Sequence, residues 1–176
     1  MRVTVRLLLA LACAVGCCNA AGADGLLGAA PAKPSSAVPP SGNTPVAAQP
    51  GSPTALIKPF YEHFGLERDP AQRSNFVDPA KKVLDDAEAL EKSGQGECLD
   101  PNMALDNADA DRDAIAGSLK MLEAIDGDRA KVVVAFVEDG HPHRLEWKLE
   151  KVGDAWKIAD LLSVTGEWEL SQYQCE

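Results

Sequence analysis

Little in this sequence is basic: 17 Lys and Arg stand against 27 Asp and Glu, a formal net charge of −10. Nucleic acid is therefore a poor ligand, because phosphate contacts need a positive surface. The chain lacks a glycine-rich phosphate loop and a CxxC pair, which removes two familiar routes to nucleotide and redox chemistry. It also lacks an apolar run of the roughly twenty residues a membrane-spanning helix needs. No cofactor is expected from these absences, and no nucleophile, base and orienting group can be seen to converge.

What is present begins with an address. Arg2 and Arg6 precede the short apolar run "LLLALACAVG", Leu7 to Gly16, which has the pattern of a signal peptide over residues 1–23. Two cleavage sites compete. "AVGC" places small residues before Cys17, the arrangement that precedes a lipid-modified cysteine, whereas "AGA" at Ala21 to Ala23 fits ordinary secretion. Residues 24–53 read as a disordered linker, and from Ala29 onward they are nearly all Ala, Pro, Ser, Gly and Thr. If Cys17 carries acyl chains, this tether would reach on the order of 100 Å from the membrane. Either route puts the remaining domain, residues 54–176, outside the cytoplasm. The expected location is the periplasm, with the protein lipid-anchored to the envelope.

The cysteines agree with that location. Cys13, Cys17 and Cys18 belong to the leader, so Cys98 and Cys175 are the pair left to the domain, and an oxidising compartment predicts a disulfide between them. Removing Arg2 and Arg6 with the leader leaves 15 basic against 27 acidic residues, so the mature chain is near −12. A cationic partner suits that charge.

Along the domain, "SPTALIKPFYEHFG" opens with Ser52 as a cap and Pro53 at the first helical position, with Pro59 interrupting it before Gly65. A second helix follows Asp78 and Pro79 in "AKKVLDDAEALEKSG", with Val83, Ala87 and Leu90 on one stripe and Gly94 as terminator. From Ser118 the period changes to two. "AKVVVAFVE" and "HRLEWKLEK" alternate apolar and polar residues, and "DGD", "EDGH" and "VGDA" are hairpin turns. Four antiparallel strands are expected, at about 118–125, 130–138, 143–152 and 155–164, with Trp147 and Trp156 in the core. The fold class is α+β, N-terminal helices packed on a curved four-stranded antiparallel meander.

The order of elements over about residues 54–176, and above all "KLEKVGDAWKIADL" from Lys148 to Leu161, resembles bacterial members of the nuclear-transport-factor-like superfamily, the cystatin-like α+β cones, in particular a group with no assigned function. The resemblance implies the cone fold and leaves activity open. Enzymes of this superfamily work with an Asp or Tyr inside the cone. Here Tyr61, Asp85 and Asp86 are the available candidates, and packing explains the tyrosine and a wet helix face the two aspartates. His141 and His143 flank Pro142 beside a turn, where exposed histidines without function are the default.

The stretch "LDPNMALDNADADRD", Leu99 to Asp113, holds five Asp and two Asn in fifteen positions. Asp109, Asp111 and Asp113 have the spacing of a calcium loop's first ligands. Ala114 stands where that loop needs Gly, and Lys120 where it needs Glu, so no metal is expected. Two readings remain: a solvated loop rich in Asx turns, and a recognition loop in which Asp100, Asp106, Asp109, Asp111 and Asp113 meet a basic partner. The function that follows is a non-catalytic, envelope-tethered protein-binding module, such as an immunity protein neutralising a periplasm-acting toxin or cell-wall hydrolase. A periplasmic small-ligand-binding cone is the alternative, and an isomerase or hydratase-type enzyme stands behind it.

Overall fold

The computed structural model describes residues 49–108 and 111–175; the leader, Cys17, most of the linker and Asp109 lie outside them. The domain is α+β. Ser52 accepts a hydrogen bond from the Ala55 amide and starts α1 (Pro53–Ile57). Pro59 lacks the N–H that would continue the ladder, so the chain restarts as α2 (Pro59–Glu62). α3 (Ala80–Ser93) ends at Gly94 in the left-handed region, and α4 (Arg112–Ser118) starts from an Asp111 cap.

Five strands follow: β1 (Lys120–Asp126), β2 (Arg129–Glu138), β3 (His141–Val152), β4 (Ala155–Ser163) and β5 (Trp168–Glu169). They pair antiparallel in sequence order. At the β2–β3 turn Asp139 and Gly140 both take positive φ, 47° and 78°, the twist that matches a two-residue hairpin. The expected four-stranded meander is thus a five-stranded sheet, because β5 returns to pair with Leu162 and Ser163. Two residues are too few to show alternation, and in the turn before β5 the left-handed position falls on Glu167 rather than on its neighbour Gly166. α4 also takes Ser118, which was expected to begin β1. Its seven residues bury only Ile115, so no helical stripe was visible.

Register explains the core. Val132 lies opposite Trp147 and Trp147 opposite Leu161, while Val134 lies opposite Leu145, so one face of the sheet is continuously apolar. Ile57, Phe60 and Tyr61 pack on that face, and α3 adds Val83, Leu84 and Ala87. Trp147 is fully buried; its ring lies 5.0 Å from Phe60, and its Nε1 donates to Tyr61 Oη at 2.9 Å. The expectation of a core position fails for Trp156. It sits beside the β3–β4 turn, half-buried, with the Lys151 ammonium 5.9 Å from its ring.

Candidate protein-binding surface

The acidic stretch between α3 and α4 has a hidden apolar side. Leu99, Met103, Ala104 and Leu105 are all buried in the main core, so "LDPNMAL" is a strap pressed into the domain rather than a loop floating in solvent. Cys98 at its start is disulfide-bonded to Cys175, with Cα atoms 5.4 Å apart, which ties the strap to the end of the chain.

Asp106 fixes the middle. It adopts φ 57°, and its side chain, 4% exposed, faces inward. Its carboxylate accepts from Thr165 Oγ1 at 2.7 Å and from Trp168 Nε1 at 2.9 Å, and lies 3.2 Å from His143 Nδ1. One aspartate therefore joins the strap to β3 and to the β4–β5 turn. That turn has no spare room: a Cβ added at Gly166 would lie 2.6 Å from Asp106 Oδ1 and 2.9 Å from Trp168. The His143 ring stacks on Phe136 with centroids 4.9 Å apart, so this histidine is half-buried and structural, while His141 is exposed as the default reading has it.

The remaining aspartates face outward. Asp100 accepts from Asn107 Nδ2 at 3.0 Å and stays exposed. Asp111 accepts from the amides of Asp113 and Ala114 at 3.1 and 3.0 Å, and Asp113 places a second carboxylate in the first turn of α4. Carboxylates there complement the positive end of a helix, so they cost the fold little while remaining in solvent. Arg112 lies 4.7 Å over the Phe64 ring and donates to the Glu62 carbonyl, pinning the end of the strap. Of the five aspartates predicted to meet a partner, Asp100, Asp111 and Asp113 are exposed and Asp106 is turned in.

The space between the helices and the sheet is occupied by side chains. Phe60, Tyr61, Phe76, Phe136 and Trp147 fill it, each exposed by 4% or less. Burial pushes the Tyr61 phenol far above its ordinary pKa, and the residue sits as a packed, hydrogen-bonded core group. Asp85 is paired with Arg73 and Lys81, and Asp86 with Lys82, on the outer side of α3.

Sequence reasoning missed Glu67. This residue is 3% exposed, its Oε1 accepts from the Ala104 amide at 3.1 Å, and its Oε2 has no hydrogen-bond partner. Burial raises its carboxyl pKa above the ordinary value, more than the amides of the strap lower it. A raised folded-state pKa means that the protonated acid favours folding: its contribution is complete below the unfolded pKa and is lost as pH rises through the folded one. Glu67→Gln, which holds the amide contact without the charge, is expected to be more stable than wild type at pH 7, with the difference shrinking toward pH 4. Urea unfolding at the two pH values checks this, and an equal difference at both would remove Glu67 from the pH dependence.

No protein-family model matches the chain, and no curated protein matches it. Among solved structures, it is similar to a chain of the type VI native effector–immunity complex Tae3–Tai3 from Ralstonia pickettii, with 18% identity, 65% of this chain and 96% of that chain covered, and a TM-score of 0.44. It is also similar to a phospholipid-binding protein from Ralstonia solanacearum solved in complex with a phospholipid, with 17% identity, 70% and 68% covered, and a TM-score of 0.29. Likeness at this level says nothing about what this chain binds.

Proposed function

We propose that this protein is a non-catalytic protein-binding module of the bacterial envelope, and that it neutralises a basic secreted protein of the toxin or cell-wall-hydrolase type. The observation that carries this reading is the construction of the strap. Leu99, Met103, Ala104 and Leu105 anchor it below, Asp106 and the disulfide hold it laterally, and Asp100, Asp111 and Asp113 remain exposed above. Hydrogen bonds already hold Asp100 and Asp111 in place, which lowers one of the usual costs of association. These carboxylates also belong to a mature chain near −12, whose field speeds encounter with a cationic surface.

A small-ligand cone needs an open interior, and here five aromatic side chains take up that volume. The signal peptide, the acyl anchor on Cys17 and the tether complete the proposal by holding the module in the compartment where a wall-degrading toxin acts. The test is protection. Cells that produce the full chain should survive periplasmic delivery of a basic wall hydrolase encoded beside its gene, and cells producing a variant with Asp100, Asp111 and Asp113 changed to Asn should survive markedly less. Equal survival with and without the protein, for every toxin so encoded, would overturn the proposal.

A further inference from the structure

Beside the strap, β5 and the chain end enclose an open groove of about 680 Å³. Trp168 and Tyr173 line it, with ring centroids 6.4 Å apart at 79°, and both rings are half-buried, so each keeps surface for a ligand. Glu167 and Glu169 also line the groove. Lys148 bonds Glu169 and lowers its pKa, so that carboxylate is held in place and ionised. Asp100 of the strap is near enough for its charge to add to the effect of burial in raising the Tyr173 phenol pKa. Trp168 in turn reaches the strap through its bond to Asp106.

Glu167 is the anomaly. It is exposed and holds φ 56°, a conformation that costs a side-chain-bearing residue free energy and that glycine adopts freely. A ligand gives a reason for a glutamate there: Glu167 lines the groove together with Trp168 and Tyr173. A planar cation between a ring and a carboxylate meets both, and the guanidinium fits that geometry better than a compact ammonium.

We propose that this groove receives an arginine side chain from the basic partner of the acidic strap. The inference rests on the protein-binding reading above and names the residue type that the partner inserts. It makes Trp168, Tyr173 and Glu167 the specificity-determining side of the surface, with the strap aspartates supplying longer-range attraction.

The experiment is an NMR titration of the full ¹⁵N-labelled chain with tetra-arginine amide and, separately, tetra-lysine amide. The three tryptophans give three indole N–H signals, assigned by single Trp→Phe variants. Tetra-arginine should shift the Trp168 indole signal and leave that of buried Trp147 in place, and tetra-lysine should bind it about threefold or more weakly. Glu167→Gly should melt at the same or a higher temperature, since it relieves the turn, yet lose affinity for tetra-arginine by about threefold or more. Loss of affinity without loss of stability is a result that a purely structural Glu167 does not give. Equal shifts by both peptides would overturn the arginine assignment. Shifts confined to the amides of residues 111–113, with Trp168 unmoved, would overturn the groove and leave the acidic strap intact.

Discussion

Trp147→Ala is expected to lower folding stability by about 3–5 kcal/mol, the cost of a cavity where a large buried aromatic is removed. Trp147 is fully buried between Val132 and Leu161 on the sheet and Phe60 on α2, so no neighbour can fill the space without leaving its own contacts. The change also strips Tyr61 Oη of its donor inside the core. An unpaired buried polar group adds about 1–3 kcal/mol. Trp156→Ala is the control, expected to cost clearly less because its ring is only partly buried. Urea unfolding of both variants decides the matter, and a Trp147→Ala loss below about 1 kcal/mol would mean that the aromatic cluster does not hold the domain together.

Loss of the disulfide should be felt on a similar scale. Cys98 and Cys175 are 77 residues apart in sequence, and closing a loop of that length is worth about 4.5 kcal/mol by chain entropy, with about 2–5 kcal/mol the usual measured range. The effect should have a position as well as a size. Cys98 begins the strap and Cys175 follows Tyr173, so reduction frees the acidic surface from the chain end while β2 and β3 keep their pairing. Amide hydrogen exchange of Cys98→Ala/Cys175→Ala should rise first around residues 99–106 and 170–175. Intact-mass analysis of the native protein, alkylated without reductant, should show no label on either cysteine. Two labels, or a double variant as stable as wild type, would contradict the structural role given to the bond.

The sheet was legible because its signals are local. Alternation in "HRLEWKLEK" places Leu145, Trp147 and Leu149 on one face, and Asp-Gly pairs mark the hairpins. α1 and α3 were legible from Ser52, Pro53 and Gly94. What escaped has long-range causes. Asp106 looks in sequence like its acidic neighbours, and only the arrival of His143, Thr165 and Trp168, from 37 to 62 residues away, turns it inward. Glu67 is buried because the strap closes over it, an event no pattern around residue 67 records. The strap did leave one sign: Leu99, Met103, Ala104 and Leu105 are too apolar for a solvated loop, and the density of aspartates masked them.

The claim that the strap is an electrostatic docking surface is tested most directly by association kinetics with a verified basic partner, wild type against Asp100→Asn/Asp111→Asn/Asp113→Asn. Asparagine caps a helix about as well as aspartate and still accepts the Asn107 amide, so the variant should keep its melting temperature while losing three charges. The variant should associate on the order of tenfold more slowly at low ionic strength, and the two proteins should converge as salt rises. Association at the wild-type rate at every ionic strength, from a variant that folds as well as wild type, would contradict the account and leave the strap as packing between helix and sheet.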